Sequence, residues 1–161
     1  HNYRKIDNIT LVKFALTDID NTNGAREKLI LVSPDAGALK KMYHVSEHFG
    51  IDKMVIANKH RDIKTGKITH TEVPGLTQEP GSKNFVIIDD ICDGGRTFLE
   101  IAKTIRKERE DSVFNDKIYL VVTHGIFSAG FNELKNWIDG IYCTNLVKNV
   151  DNELVKQLNI F

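Results

Sequence analysis

The chain has 161 residues, 41% of them hydrophobic and 27% charged. That is enough apolar material for one ordinary domain with a real core, and too little length for two of typical size. Twenty-two basic residues against 22 acidic ones cancel to a formal charge of zero. The balance argues against non-specific binding to nucleic acid or to an anionic membrane, both of which draw on excess Lys and Arg. No apolar run approaches the roughly 20 residues that span a bilayer, and residues 1–16 carry scattered charges in place of a signal-peptide pattern. Two cysteines, Cys92 and Cys143, are too few for a disulfide framework and fit a reducing, cytoplasmic compartment. The first residue is His1 rather than Met, as in a piece of something longer.

In chain order, residues 1–28 read as a leading helix or strand followed by a polar loop around Asn21-Thr22-Asn23-Gly24. Leu29-Ile30-Leu31-Val32 is the first buried strand. Leu39, Met42, Tyr43 and Phe49 then give residues 36–49 a helical apolar stripe. Met54-Val55-Ile56-Ala57 is a second strand, and the stretch from Pro74-Gly75 to Pro80-Gly81 is a loop feeding a third at Phe85-Val86-Ile87-Ile88. Phe98, Ile101, Ala102 and Ile105 fall at i, i+3, i+4 and i+7, a helix whose other side carries Lys103, Arg106 and Lys107. Strands follow at Ile118–Val122 and Ile141–Cys143, with a stripe of Phe131, Leu134 and Ile138 predicting a helix over residues 127–139 between them. The strand runs are continuous rather than alternating, as in a parallel sheet covered on both faces. The expectation is an α/β domain, an open parallel sheet of about five strands with helices on both faces and right-handed crossovers.

The chemistry concentrates between Phe85 and Thr97, where four apolar residues lead into Asp89-Asp90, then Ile91-Cys92-Asp93-Gly94-Gly95-Arg96-Thr97 and a helix. Ligands of open parallel sheets bind beyond the carboxyl ends of strands, where this loop must lie. Glycines let backbone N–H groups close on an anion, and the helix N-terminus adds partial positive charge. Thr97 can cap that helix or donate its hydroxyl to a phosphate. The adjacent carboxylates of Asp89 and Asp90 call for hydroxyl donors or a cation, which vicinal ribose hydroxyls and a divalent metal supply. Chemically this is a site for a sugar phosphate.

Residues 85–97 resemble the phosphoribosyl pyrophosphate (PRPP) motif of type I phosphoribosyltransferases. Three further segments narrow the likeness: Ser33-Pro34-Asp35-Ala36-Gly37, Lys59-His60-Arg61 and Thr123-His124-Gly125-Ile126-Phe127-Ser128. Together, from about Leu29 to Asn145, they resemble the second lobe of the ribose-phosphate pyrophosphokinases, or PRPP synthases. The resemblance implies a type I phosphoribosyltransferase-like fold and transfer of diphosphate from Mg-ATP to the anomeric hydroxyl of ribose 5-phosphate, giving PRPP and AMP. It implies that Asp89 and Asp90 hold the ribose hydroxyls, and that Asp93, Gly94, Gly95, Arg96 and Thr97 surround the 5-phosphate. Asp35 would help bind Mg2+, and Lys59 and Arg61 would be the catalytic cations of a loop, Lys59 to about Gly75, that opens and closes. Such transfer rests on positioning and charge stabilisation. The family's ATP-binding N-terminal lobe has no counterpart in residues 1–28, so residues 1–161 are expected to be a single ribose-phosphate domain, inactive in isolation. The full-length protein is expected to be a homo-oligomer binding neither nucleic acid nor membrane.

The family commonly reads Asp-Thr-Ala-Gly-Thr in the phosphate loop, against Asp93-Gly94-Gly95-Arg96-Thr97 here. Gly94 loses a hydroxyl, and Arg96 falls where glycine usually allows a positive φ. Ala38 replaces a second glycine of the family's first loop. Two other readings stand beside the synthase: a stand-alone phosphoribosyltransferase joining PRPP to a purine base, with Asp93 acting near the purine, and a non-catalytic regulatory subunit of the same fold. Other signals are weaker. His44-Val45-Ser46-Glu47-His48 matches a zinc-peptidase spacing but has no third ligand segment. Cys92 lacks a neighbouring His and reads as a small apolar filler. Lys64-Thr65-Gly66-Lys67 lacks a full phosphate-loop frame and reads as a hairpin tip. His124 is placed near the site by its strand end, and reads equally well as a structural histidine.

Overall fold

The computed structural model describes residues 8–23, 26–65, 68–110, 113–146 and 152–158. Its centre is a parallel sheet built from the apolar runs read above: β1 (Leu29–Ser33), β2 (Met54–Ile56), β5 (Asn84–Cys92), β6 (Lys117–Gly125), β7 (Gly140–Leu146) and β8 (Val155–Gln157), in the order β2-β1-β5-β6-β7-β8. A separate antiparallel hairpin, β3 (Asn58–Arg61) and β4 (Ile68–Glu72), leaves the sheet after β2. The main sheet has six strands rather than about five. The sixth, Val155–Gln157, is short and mostly polar, so it carries no apolar run for periodicity to find.

Three helices cover the sheet on both faces, as expected: α1 (Asn8–Asn23), α2 (Leu39–Phe49) and α3 (Arg96–Glu108). Successive strand residues point to opposite faces. Ile30, Phe85, Ile87 and Leu120 pack with α3, whereas Leu31, Val86, Ile88 and Val121 pack with α1 and α2. α1 resolves the ambiguous leading segment: Leu11, Val12, Ala15, Leu16 and Ile19 form its buried stripe. Burial of each Leu, Val or Ile side chain contributes about 1.5–3 kcal/mol. The polar residues Asn21, Thr22 and Asn23 belong to this helix and not to a loop, while Gly24 lies outside the described residues.

The helix predicted over residues 127–139 does not form; a single 3-10 turn, Leu134–Asn136, stands in its place. Phe127 at φ 48° and Gly130 at φ 72° are left-handed, and neither can sit inside a right-handed helix. The apolar stripe was real, since Leu134 and Ile138 are buried, but short local turns present it.

Arg109, just past α3, locks the return leg of the hairpin. Its guanidinium donates to the carbonyls of Leu76 (2.9 Å), Glu79 (2.8 Å) and Gly81 (2.9 Å). It also makes a two-pronged pair with Asp116 (Nε to Oδ2 2.5 Å, Nη2 to Oδ1 3.1 Å). Asp116 in turn accepts the Lys83 amide at 2.7 Å. Val73 and Leu76 are fully buried, and β4 already meets α3 at Thr71, whose carbonyl accepts from Thr104 Oγ1 at 3.3 Å.

Candidate functional site

An open cleft of about 310 Å³ lies beyond the carboxyl ends of β1 and β5, lined by Asp35, Lys59, Asp89, Ile91 and the run Asp93–Phe98. The fold thus brings together eight of the ten residues singled out from sequence. The backbone of Arg61 ends β3, opposite Ile68, and its side chain lies outside what the structure describes. Asp90 is close by but differently placed.

β5 creates this difference. Its pleat sends Asp89 to the α3 side and Asp90 to the other, where Lys41 of α2 forms an ion pair with it. The two carboxylates are neighbours in sequence but do not share one pocket, and Lys41 is a partner of Asp90 that sequence alone does not reveal. Asp89 is half-buried and accepts the Asp90 amide at 2.8 Å. Burial pushes its carboxyl above the ordinary value, reinforced by the charges of Asp35 and Asp90 and opposed by the Asp90 amide and Lys41. Lys59 reaches in from the hairpin, its Nζ 3.7 Å from Asp35 Oδ2, with its side chain 14% exposed. Asp35 also caps the turn Ala36–Ala38 by accepting the Ala38 amide at 3.1 Å, which fixes its carboxylate at the cleft.

The phosphate-type loop is built as its glycines require. The left-handed residue is Gly95 (φ 76°), which is the N-cap of α3, while Arg96 is the first helical residue. The substitution of Arg for glycine at residue 96 therefore brings no backbone strain here. Thr97 stands in the first turn and is not the cap. Because Gly95 has no side chain, no side-chain group closes the cap, and the first amides of α3 are left for an external acceptor. A Cβ on Gly95 would lie 3.2 Å from Leu134 Cδ1, a second reason for glycine.

The loop after β6 buttresses this turn. Ile126 and Phe127 donate their amides to the Cys92 carbonyl (2.8 and 3.2 Å), and Ser128 donates to Asp93 O at 3.1 Å. Phe127, left-handed but buried, is the strained residue of the region. Cys92 is fully buried, and burial pushes its thiol up to about 12, so it is the apolar filler expected and no nucleophile. His124 is exposed on β6, opposite Ile91 and Asn145, and does not line the cleft. His44 and His48 are neighbours on the exposed face of α2, their ring centres 6.3 Å apart, and among the described residues no third ligand joins them. Lys64 and Thr65 form a turn capped by Asp62 Oδ1 (3.0 and 2.7 Å), while Gly66 and Lys67 lie outside the described residues.

Chemically the cleft offers two cations, Lys59 and Arg96, several carboxylate oxygens and a row of amides, the inventory for an anionic, hydroxyl-bearing ligand. The chain is similar to the ribose-phosphate pyrophosphokinase of Mycoplasmopsis pulmonis, 36% identical over 128 residues, covering 78% of this chain and 37% of that protein. It is 30% identical over 126 residues to the enzyme of that name from Thermococcus kodakarensis, covering 76% of this chain and 41% of the relative. It spans about two fifths of the length of these curated relatives. In fold it resembles the phosphoribosylpyrophosphate synthetase of Mycobacterium smegmatis, with a TM-score of 0.68 at 20% identity over 91% of this chain and 46% of that one. The adenine phosphoribosyltransferase of Thermoanaerobacter pseudethanolicus follows it less closely, at 0.57 and 16% identity over 86% of this chain and 77% of that one. Residues 3–125 match the phosphoribosyl transferase domain, and with the Asp89–Thr97 loop at the end of its central strand the chain belongs to that family.

Proposed function

We propose that this chain is the ribose 5-phosphate-binding part of a ribose-phosphate pyrophosphokinase, which makes PRPP and AMP from ribose 5-phosphate and Mg-ATP. The observation that carries the reading is the uncapped start of α3 after Gly95, set beside Asp35, Asp89 and Lys59 in one cleft. The amides of Arg96–Phe98 and the Thr97 hydroxyl donate to the 5-phosphate, and Arg96, exposed at the helix start, adds a charged donor in place of the family's lost hydroxyl. Asp89 accepts from a ribose hydroxyl, whereas Asp90, on the other side of the strand, is held by Lys41 at the rim of that pocket. Lys59 and Arg61, carried on the hairpin, serve the charge that develops on the transferring phosphoryl group.

The carboxylates of Asp35 and Asp89 are hard oxygen donors at one cleft, Asp89 raised by burial first and by the charge of Asp35 to a lesser degree, a donor set that suits Mg2+. Asp35, with Asp89, would hold it. When bound, the ion supplies positive charge against the diphosphate. The ATP site belongs, in this reading, to a lobe outside residues 1–161, and the whole protein works in the cytoplasm, which its two free thiols support. No helix among the described residues is long and apolar enough to cross a membrane.

Two measurements test the reading. Calorimetry on this chain should register ribose 5-phosphate at millimolar concentration, while ATP, magnesium and ribose 5-phosphate together should give little or no PRPP. A longer protein containing this chain should form PRPP and AMP in equal amounts. Release of pyrophosphate from PRPP on addition of a purine base, with no AMP from ATP, would replace the synthase by a phosphoribosyltransferase.

A further inference from the structure

The hairpin that brings Lys59 to the cleft holds, on its other side, a cluster with no part in the proposed reaction. Register pairs His60 of β3 with His70 of β4, and their imidazoles stack with centres 4.1 Å apart and planes within 5°. Glu72 lies two residues beyond His70, hence on the same face of β4. Its carboxylate meets both rings, His60 Nε2 to Oε2 and His70 Nε2 to Oε1, each at 3.2 Å. All three donors fall within 4.8 Å of one another, and among the described residues this is the sole His, Cys, Asp and Glu group so gathered.

We propose that His60, His70 and Glu72 form a binding site for a divalent transition-metal ion of the zinc class. Two imidazoles and a carboxylate with a fourth position open to solvent are a common zinc donor set, whereas magnesium takes oxygen ligands. Donors placed tetrahedrally at about 2.0–2.2 Å from zinc stand roughly 3.3–3.6 Å apart. The two His–Glu contacts are already near that value, one to each carboxylate oxygen, so a turn of the Glu72 carboxylate and of the exposed rings brings all three donors onto one ion. Thr69 Oγ1, bonded to the His60 carbonyl at 3.0 Å, stands 3.5 Å from His70 Nδ1 and helps orient that ring. An ion there ties β3 to β4 one residue from Lys59, stiffening the arm that presents the cation. The site is independent of the ribose-phosphate reading, because none of its three ligands lines the cleft.

The test is titration of the metal-stripped chain with Zn2+ by calorimetry and with Co2+ by visible absorption. One equivalent should bind, with the Co2+ bands of a site of low coordination number. Loss of a ligand should weaken binding by at least the roughly 10–100-fold that loss of an outer-shell partner brings. That loss is expected for His70→Ala and for Glu72→Gln, and not for His44→Ala on α2. Amide exchange over residues 58–65 and 68–72 should slow on adding Zn2+ to the wild type only. If His70→Ala fails to fold by circular dichroism, Glu72→Gln and His60→Asn carry the same comparison. Equal Zn2+ affinity in the wild type and in Glu72→Gln overturns the proposal, as does binding that vanishes with His44→Ala.

Discussion

β5 and the β3–β4 hairpin both deliver residues to one cleft, by opposite physical means. β5 runs through the middle of the sheet, its first five residues buried, and exposes itself only from Asp90 onward. Its end and loop are pinned by amides from the loop that follows the neighbouring strand β6. The hairpin is polar, pairs only with itself and is anchored at its ends by Ala57, Val73 and Leu76. In the proposed reaction, the groups that recognise the bound ground state would sit on the buried strand, and the cation needed when charge develops would ride on the hairpin. Position in the fold would then divide binding from rate.

The comparison breaks most severely at the anchor. Asp116→Ala leaves the Arg109 guanidinium buried without this carboxylate, its three carbonyl contacts remaining, and the two side chains are only 4% and 7% exposed. A loss of about 3–5 kcal/mol in urea denaturation is expected; a loss under about 1 kcal/mol would mean the hairpin's return leg is held by something else. Next is Lys59→Ala in a longer, active protein. Turnover should fall roughly 10²–10³-fold with ribose 5-phosphate affinity nearly unchanged. Equal losses in both would erase the division between the two elements. Thr97→Val, on the rigid side, should weaken ribose 5-phosphate binding to this chain by about 1.5–3 kcal/mol, read by calorimetry.

The smallest effect has the opposite sign. Burial raises the Asp89 carboxyl above its ordinary 3.8 in the folded chain, so the folded state holds that proton more tightly than the unfolded one. Its charged form therefore opposes folding fully above the raised value and not at all well below 3.8. Asp89→Asn should raise the denaturation midpoint at pH 7, and the gain should shrink as pH falls through the raised value toward 3.8. The same variant should lose ribose binding. A gain that persisted unchanged at low pH would assign it to packing.

The strand–loop–helix unit from Phe85 to Thr97 was legible because its chemistry is contiguous: the residues that fold it are those that form the site. Asp35 and Lys59 were legible through family resemblance and needed the sheet order to meet, since 23 residues separate them in sequence. Lys41 was not legible, because an exposed helix lysine finds Asp90 only through tertiary packing. The helix expected over 127–139 failed where Phe127 adopts a left-handed backbone, a conformation its side chain gives no sign of. The His60–His70–Glu72 group was hidden because strand register, and no sequence spacing, assembles it.

The strand order also bears on how the chain reaches this state. From β5 onward each strand lies beside the one made just before it, β5 with β6, β6 with β7 and β7 with β8. β1, by contrast, must find β5 across α2, β2 and the whole hairpin, and such distant closures are slow. During synthesis, β1 and β2 emerge first and can pair with each other, but the other edge of β1 stays open until Asn84–Cys92 leaves the ribosome. The strand that carries the ligand loop is thus also the point on which the two halves of the nascent chain must join.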